Sequence, residues 1–540
     1  MSGSRTIIST NGEPVVRVAG RDRILVMLLW LLLLNGLFLL PALALPGTSP
    51  WFSLDALVVW AVLCGLGKGG RRRFTLLVAI VCGLLTLLVL ADTLVRASLG
   101  RGLNLYLEVR LLDAAWNLLN TNLGAPLAVL ALVLLVVLLA GFVWLCRYGL
   151  ERLAHTSPTY LAKPLWLITG LVAAGTITPW IGSPALAFVA GQASLISHTH
   201  ETSQAFAEQL RTLSDQGREA TPLPQLAGKD VILGFIESYG VSTVTDARYR
   251  SVVGPSLDAM ARELTAAGLT IATGRLQSPI QGGQSWLGHL SVLSGQWIHN
   301  QLAYETLLSS DYATLIDDFR RTGHRTVAVM PAITRAWPEG RLLGYDQIYG
   351  HDDLGYQGPP FNWVTMPDQY TWHRFQGIRE SQEEPLFAEL ALISSHAPWV
   401  PVLPVLDDWG DIGNGQVFQR WEGAGEAPIS LWRDPDRVRD HYARAIAYAL
   451  NVAGGFAARY VRDETLMIIL GDHQPAPLIT GDDASRDVVV HVISADPALV
   501  APFLSGELPG FRRGTRPDLH TPGAAMSRFR PFLHRHFGAF

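Results

Sequence analysis

Four short segments of the 540-residue chain concentrate side chains that can do chemistry. Glu237 and Ser238 directly follow the apolar run "DVILGFI" (230–236). "GGQS" (282–285) places Ser285 after two glycines and ahead of the helix-like "WLGHLSVLS". His396 stands in "SSHAPW", after "FAELALI" (387–393). Asp472 and His473 stand in "GDHQP", after "TLMIIL" (465–470). Two carboxylates, an imidazole and a hydroxyl suit one divalent cation with an oxygen-rich shell, Mn2+ or Mg2+ first and Zn2+ as an alternative. Coordination to such a cation would lower the pKa of a serine hydroxyl, which unassisted is a poor nucleophile near neutral pH. A helix N-terminus favours the negative charge and welcomes a phosphoryl group, and glycines permit close backbone approach. Each residue alone has a plainer use: Glu237 ends a strand, Asp472 makes a turn, His396 packs in a core, and Ser285 caps a helix.

The elements that must position these groups are legible as patterns. The continuous apolar runs at 230–236, 326–330, 387–393, 465–470 and 488–493 have strand length, and amphipathic stretches such as 255–267 and 437–460 separate them. This alternation predicts an α/β domain over 230–540, a mostly parallel sheet with helices on both faces. Ligands of such sheets bind beyond the carboxyl ends of the strands. Three of the five strands release Glu, His or Asp-His there.

The first third is different. Hydrophobic runs at about 24–45, 52–67, 74–94, 123–146 and 164–187 predict five membrane spans in a domain over 1–190, the second of them short. Arg5, Arg17, Arg21 and Arg23 precede the first; Lys68 and Arg71–Arg73 follow the second; Arg147, Arg152 and Lys163 follow the fourth. These clusters share one side if the N-terminus is cytoplasmic, so everything after about 190 is expected outside the cytoplasm. The amphipathic stretch 104–119 reads as a connecting interfacial helix. The polar stretch 191–229, with His198 and His200, reads as a linker with a juxtamembrane helix that "TPLPQL" ends.

Composition narrows the function further. A net charge of −4 gives no basis for nucleic-acid binding. The three cysteines, Cys64, Cys82 and Cys146, all lie in the first third, so the outer domain has no disulfide and must rely on its core.

On these motifs the chain resembles the alkaline phosphatase superfamily, nearest to the membrane-anchored branch of lipoteichoic acid synthases and phosphoglycerol transferases. The family's "ES" is matched by Glu237-Ser238, its glycine-preceded nucleophile by Ser285, its "SHxP" by Ser395–Pro398 and its "GDH" by Gly471–His473. The resemblance implies Glu237, Ser285, Asp472 and His473 as metal ligands, with Ser285 also the nucleophile. It implies that His396 contacts the phosphoryl group or assists the leaving group. "FNWVTMPDQY" resembles a segment that contacts the glycerol phosphate head, which implies substrate roles for Trp363 and Asp368. His491, in the last strand, either lines the site or packs in the core. The nucleophile is Ser where lipoteichoic acid synthases use Thr, Gln284 replaces a basic residue of some relatives, and only Arg374 and Arg335 offer themselves as the family's headgroup-gripping arginine.

The implied activity is transfer of a phosphoglycerol-type group from a membrane phospholipid, through phospho-Ser285, to an extracytoplasmic glycan or lipid-linked acceptor. The protein would be embedded in a bacterial inner membrane with its catalytic domain on the periplasmic side. Phosphoethanolamine transfer and hydrolysis with water as acceptor are the alternatives. A sulfatase is disfavoured because "SWLGH" lacks the C/S-x-P-x-R context, and the intact Glu, Ser, Asp, His set argues against a non-enzymatic membrane receptor.

Overall fold

The computed structural model describes residues 7–8, 14–15, 20–45, 50–175, 180–215 and 220–539. The chain divides into two compact units, one of Met1–Arg96 and Arg101–Glu201, the other of Ala97–Gly100 and Thr202–Phe540.

The first unit is helical: α1 (Gly20–Leu39), α2 (Leu54–Gly65), α3 (Lys68–Leu99), α4 (Ala125–Thr156), α5 (Ala162–Gly175) and α6 (Pro184–Asp215), of which α3 from Ala97 and α6 from Thr202 count with the second unit. Among the described residues, three helical segments have the length and apolarity to cross a membrane: Asp22–Ala44, Lys68–Leu99 and Ala125–Thr156. Two of the five expected spans fall outside this selection. The second run forms only the 12 residues of α2, about 18 Å of helix against the roughly 30 Å of a hydrocarbon core. The fifth expected span, 164–187, is not one helix. It holds most of α5, residues 176–179 outside the described set, and the start of α6 at Pro184. Helix α2 packs against α5, and α1 against α4. At that second contact a Cβ on Gly149 would stand 2.3 Å from the Trp30 ring, so only glycine allows the approach. The stretch expected as a linker, 191–229, begins inside the continuous helix α6.

The second unit is α/β. Its elements are β1 (Asp230–Ile236), α7 (Ala247–Ala266), β2 (Thr270–Gln277), α8 (Ser285–Ser294), β3 (Arg325–Val329), β4 (Gln347–Tyr349), α9 (Asp368–Glu380), β5 (Leu386–Leu392), α10 (Pro435–Tyr460), β6 (Thr465–Gly471), β7 (Asp487–Ser494), β8 (Arg512–Arg513) and β9 (Ala524–Ala525). The sheet order is β8-β2-β7-β6-β1-β5-β3-β4, with β9 beside β2. From β6 to β4 every pairing is parallel, while β7 runs antiparallel to both β6 and β2. The sheet is therefore mixed, parallel from β6 to β4 and antiparallel around β7. Apolar run length marks a strand but says nothing of its direction.

Both faces are buried, which is why the strands read as continuous apolar runs. Ile232 and Ile236 pack with Met260 of α7 and Tyr442 and Ile446 of α10 on one face. Val231, Leu233 and Phe235 pack with Leu287, Leu290 and Leu293 of α8 on the other.

Candidate active site

Strand register brings the reactive segments together. In the parallel pair of β1 and β6, Ile236 lies opposite Gly471, so Glu237 and Asp472 emerge side by side. In the pair of β1 and β5, Ile236 lies opposite Leu392, which delivers the 394–398 turn to the same edge. Helix α8 supplies the fourth group. A Cβ on Gly288 would stand 2.7 Å from the Asp472 carbonyl oxygen, so the first turn of α8 rests directly on that strand end.

Ser285 is the first helical residue, and the capping position belongs to Gln284, whose left-handed backbone (φ 66°) carries no side-chain cap. The Ser285 hydroxyl is therefore not spent on capping. It donates to Glu237 Oε2 at 3.1 Å and lies 3.2 Å from His473 Nε2. His473 Nε2 is 3.4 Å from Glu237 Oε1 and 3.5 Å from Asp472 Oδ2. Ligand atoms of Glu237, Asp472 and His473 all fall within 4.8 Å of one another.

Hydrogen bonds behind these groups fix their aim. His473 Nδ1 lies 2.8 Å from the Gln474 carbonyl. A carbonyl only accepts, so Nδ1 carries the proton and Nε2 presents a lone pair to the cluster. Asp472 Oδ1 accepts the amides of Ser238 and His473, each at 2.7 Å, which leaves Oδ2 facing inward. Ser238, at φ 58°, also donates its hydroxyl to Glu237 Oε1 at 2.8 Å. Ser395 Oγ donates to the Glu237 carbonyl at 2.6 Å. His396 Nδ1 lies 2.6 Å from the Ala397 carbonyl, which frees its Nε2, and its ring is 6.2 Å from that of Trp363.

The electrostatics are those of a cation site. Burial penalises both carboxylates. Asp472 is pushed upward by burial and by the neighbouring Glu237 charge. Glu237 overcomes its burial and is held below the ordinary carboxylate range by the imidazoles of His473 and His396. His473 is raised because the Asp472 and Glu237 charges outweigh its own burial. Two carboxylates this close and this buried repel one another unless positive charge lies between them. The donor set, two carboxylate groups, an imidazole lone pair and a hydroxyl, fits one divalent cation.

Not every expected residue joins this cluster. Asp368 is wholly buried at the start of α9, where Oδ1 accepts the amides of Ile393 and Ser394 at 2.8 and 2.9 Å. Its expected contact with a headgroup gives way to a different position: it pins the turn that precedes His396. His491 is a core histidine, held between Tyr239 Oη at 3.0 Å and Thr273 Oγ1 at 2.8 Å, and burial drives it down to about 3. Its inward-facing place in β7 removes it from the site. Trp363 is half-buried beside His396, while Arg335 and Arg374 are exposed. Arg374 lines a separate cleft of about 490 Å³ with Tyr370, His373 and Asn414.

One neighbouring group escaped the sequence reading. Glu389, 1% exposed in the middle of β5, accepts from His289 Nδ1 at 2.8 Å and from the Tyr345 hydroxyl. His289 stands one turn beyond Ser285 and stacks on Phe235 of β1, ring centroids 3.7 Å apart. A glutamate inside an otherwise apolar strand was the available signal.

No protein-family model and no curated protein sequence matches the chain. Solved structures similar to it include the lipoteichoic acid synthase LtaP of Listeria monocytogenes, at 14% identity and TM-score 0.35, covering 53% of this chain and 71% of that one. The phosphoglycerol transferase GacH of Streptococcus pyogenes, in complex with sn-glycerol-1-phosphate, aligns at 14% identity and TM-score 0.37, over 62% of this chain and 81% of that one. The C-terminal periplasmic domain of the phosphoethanolamine transferase EptC of Campylobacter jejuni aligns at 10% identity and TM-score 0.36, over 58% and 89%.

Proposed function

We propose that this chain is a membrane-bound phosphoryl-group transferase of the alkaline phosphatase superfamily. It takes a phosphoglycerol-type headgroup from a phospholipid and passes it to an extracytoplasmic glycan or lipid-linked acceptor. The observation that carries this reading is the Ser285 hydroxyl, uncapped at a helix N-terminus and shared between Glu237 Oε2 and His473 Nε2. A serine hydroxyl in that position is a nucleophile aimed at phosphorus, not a structural cap.

The residues divide the work. Glu237, Asp472, His473 and Ser285 would hold the divalent cation, which when bound supplies Lewis-acid stabilisation of charge on the hydroxyl and the phosphoryl oxygens. Ser285 Oγ attacks the diester phosphorus, its proton directed at Glu237, and the bond from phosphorus to the diacylglycerol oxygen breaks. The N-terminal amides of α8 face the phosphoryl oxygens. His396, as the imidazolium with its second proton on the free Nε2, gives that proton to the departing diacylglycerol oxygen and is left neutral. The acceptor hydroxyl then attacks the same phosphorus, its proton passing to the neutral His396, and the bond to Ser285 Oγ breaks as that oxygen recovers the proton held at Glu237. Asp368 is a positioning residue, acting through the turn that carries Ser395 and His396.

Membrane topology follows from parity. Whether the spanning helices number three, as length and apolarity select, or five, with the packed pair α2 and α5 crossing together, the count is odd. With five, all three arginine- and lysine-rich clusters share the cytoplasmic side and the catalytic unit lies outside, on the periplasmic side of an inner membrane; with three, the clusters at 68–73 and 147–163 would lie opposite the N-terminal arginines, so the charge pattern favours five. The test uses the purified chain in vesicles of phosphatidylglycerol. Diacylglycerol release should depend on added Mn2+ or Mg2+, and Glu237→Ala and Asp472→Ala should lose bound metal. Full metal occupancy in both variants would remove the ligand assignment.

A further inference from the structure

Among the described residues of the catalytic unit, only six large apolar side chains are exposed. Four of them lie in segments that leave the carboxyl ends of the sheet or adjoin Ser285: Trp286, Ile429, Trp432 and Leu478. Ile429 is 74% exposed and Trp432 42%. Bonded contacts tie this group to the site. The Trp432 ring stacks on Trp399 at 5.8 Å with an interplanar angle of 4°, and its Nε1 donates to the Pro398 carbonyl at 3.5 Å. Trp399 in turn donates to the Ser395 carbonyl at 2.6 Å, one residue from His396. Leu478 follows Asp472 by six residues, and its carbonyl accepts from Arg439 in the first turns of α10, close after Trp432 in the chain.

Isolated apolar residues on a surface need no explanation, but a group gathered at the mouth of a buried polar site does. Tryptophan with a wet, polar N–H edge and an apolar ring is the residue of membrane–water interfaces. Among its described residues the same chain has three helices fit to cross a bilayer, so a lipid surface is always at hand. Of the basic groups around the rim, Arg437 pairs with Glu426 and Arg439 with Asp436, and the acidic Asp482 and Asp483 lie close after Leu478, so the surface offers no excess of positive charge for adhesion.

We infer that Ile429, Trp432 and Leu478 form an apolar rim that enters the headgroup layer of a phospholipid bilayer. The donor is thereby taken from the membrane surface without leaving it. This rests on the lipid-donor reading above and adds to it the surface that engages the bilayer. Because the contact is apolar, it is insensitive to the fraction of anionic lipid and to salt.

The test uses the full chain in nanodiscs with I429C carrying an environment-sensitive fluorophore and L519C as an exposed control; the native cysteines Cys64, Cys82 and Cys146 are buried. Lipids brominated along the acyl chain should quench the probe at 429 several-fold more than at 519, equally in phosphatidylcholine and phosphatidylglycerol discs. I429E combined with L478E should raise KM for the lipid donor tenfold or more and leave turnover of soluble bis(p-nitrophenyl) phosphate unchanged. Equal quenching at the two positions, or unchanged KM for lipid in the double variant, overturns the rim. So does relief of quenching on adding soluble glycan, which would make the aromatic rim an acceptor platform. Selective quenching at 429 in a chain that turns over the soluble diester but no lipid would sink the lipid-donor reading and keep the rim.

Discussion

Replacing Asp368 by asparagine isolates the cost of a buried carboxylate beneath the His396 turn. Asp368 Oδ1 is satisfied by two backbone amides, while Oδ2 is buried without a partner. Burial pushes the carboxyl up to about 6, with the amide bonds pulling the other way. The rise from 3.8 to about 6 makes the ionised folded protein about 3 kcal/mol less stable than an ordinary carboxyl would. The sign follows from linkage. Below about pH 3 the group is protonated in folded and unfolded chains, and the cost is absent; it grows as pH rises through the unfolded value and is complete once pH exceeds the folded one. Between pH 4.5 and 8 the cost grows by about 2 kcal/mol. The asparagine side chain of D368N does not titrate, and its amide oxygen still accepts both backbone amides. D368N should therefore gain about 2 kcal/mol over the wild type between pH 4.5 and 8, on the order of 4 °C in Tm. Thermal unfolding of both full-length proteins at the two pH values measures this, because every other titrating group is common to both and cancels. A difference that does not change with pH, or that favours the wild type at pH 8, refutes the reasoning.

Gly288→Ala places a Cβ 2.7 Å from the Asp472 carbonyl oxygen, so α8 must move away from the strand end and carry Ser285 with it. Turnover should fall about 100-fold, as for a 1 Å misplacement of a reacting group, with folding retained by circular dichroism; near-normal turnover would show that the helix contact does not set the nucleophile. Glu389→Ala leaves the His289 and Tyr345 donors unpaired in the interior and should cost about 3 kcal/mol in denaturant unfolding. Glu389→Gln, which keeps an acceptor oxygen, should recover part of that loss, and equal stability of all three proteins would mean that the cluster is not structurally coupled.

The strand ends were readable because burial on both faces writes a strand as an unbroken apolar run, and the polar residue after each run then marks the ligand-binding edge. Glu237, His396 and Asp472 came from that rule alone. Strand β2 was missed because Thr273, Gly274 and Arg275 interrupt "TIATGRLQ", which therefore shows neither a continuous apolar run nor an alternation. Its Gly274 is required where a Cβ would meet the Phe511 ring at 2.1 Å, a tertiary constraint that no local pattern carries. The resemblance of "FNWVTMPDQY" to a headgroup-contacting segment points Asp368 at the site, and His491 stays open between site and core. Type does not say whether a side chain turns toward the cleft or into the core, and both turn inward. Of the expected spans, the second forms a helix of only 12 residues and the fifth is divided between α5 and α6, because a hydropathy run does not register helix ends.

The most direct measurement is the mass of the peptide containing Ser285, taken after the chain is mixed with phosphatidylglycerol and quenched in acid within a turnover. One phosphoglycerol group should be found on Ser285, absent in Ser285→Ala and absent without divalent cation. Sustained release of diacylglycerol with Ser285 unmodified, or undiminished release by Ser285→Ala, would contradict the account.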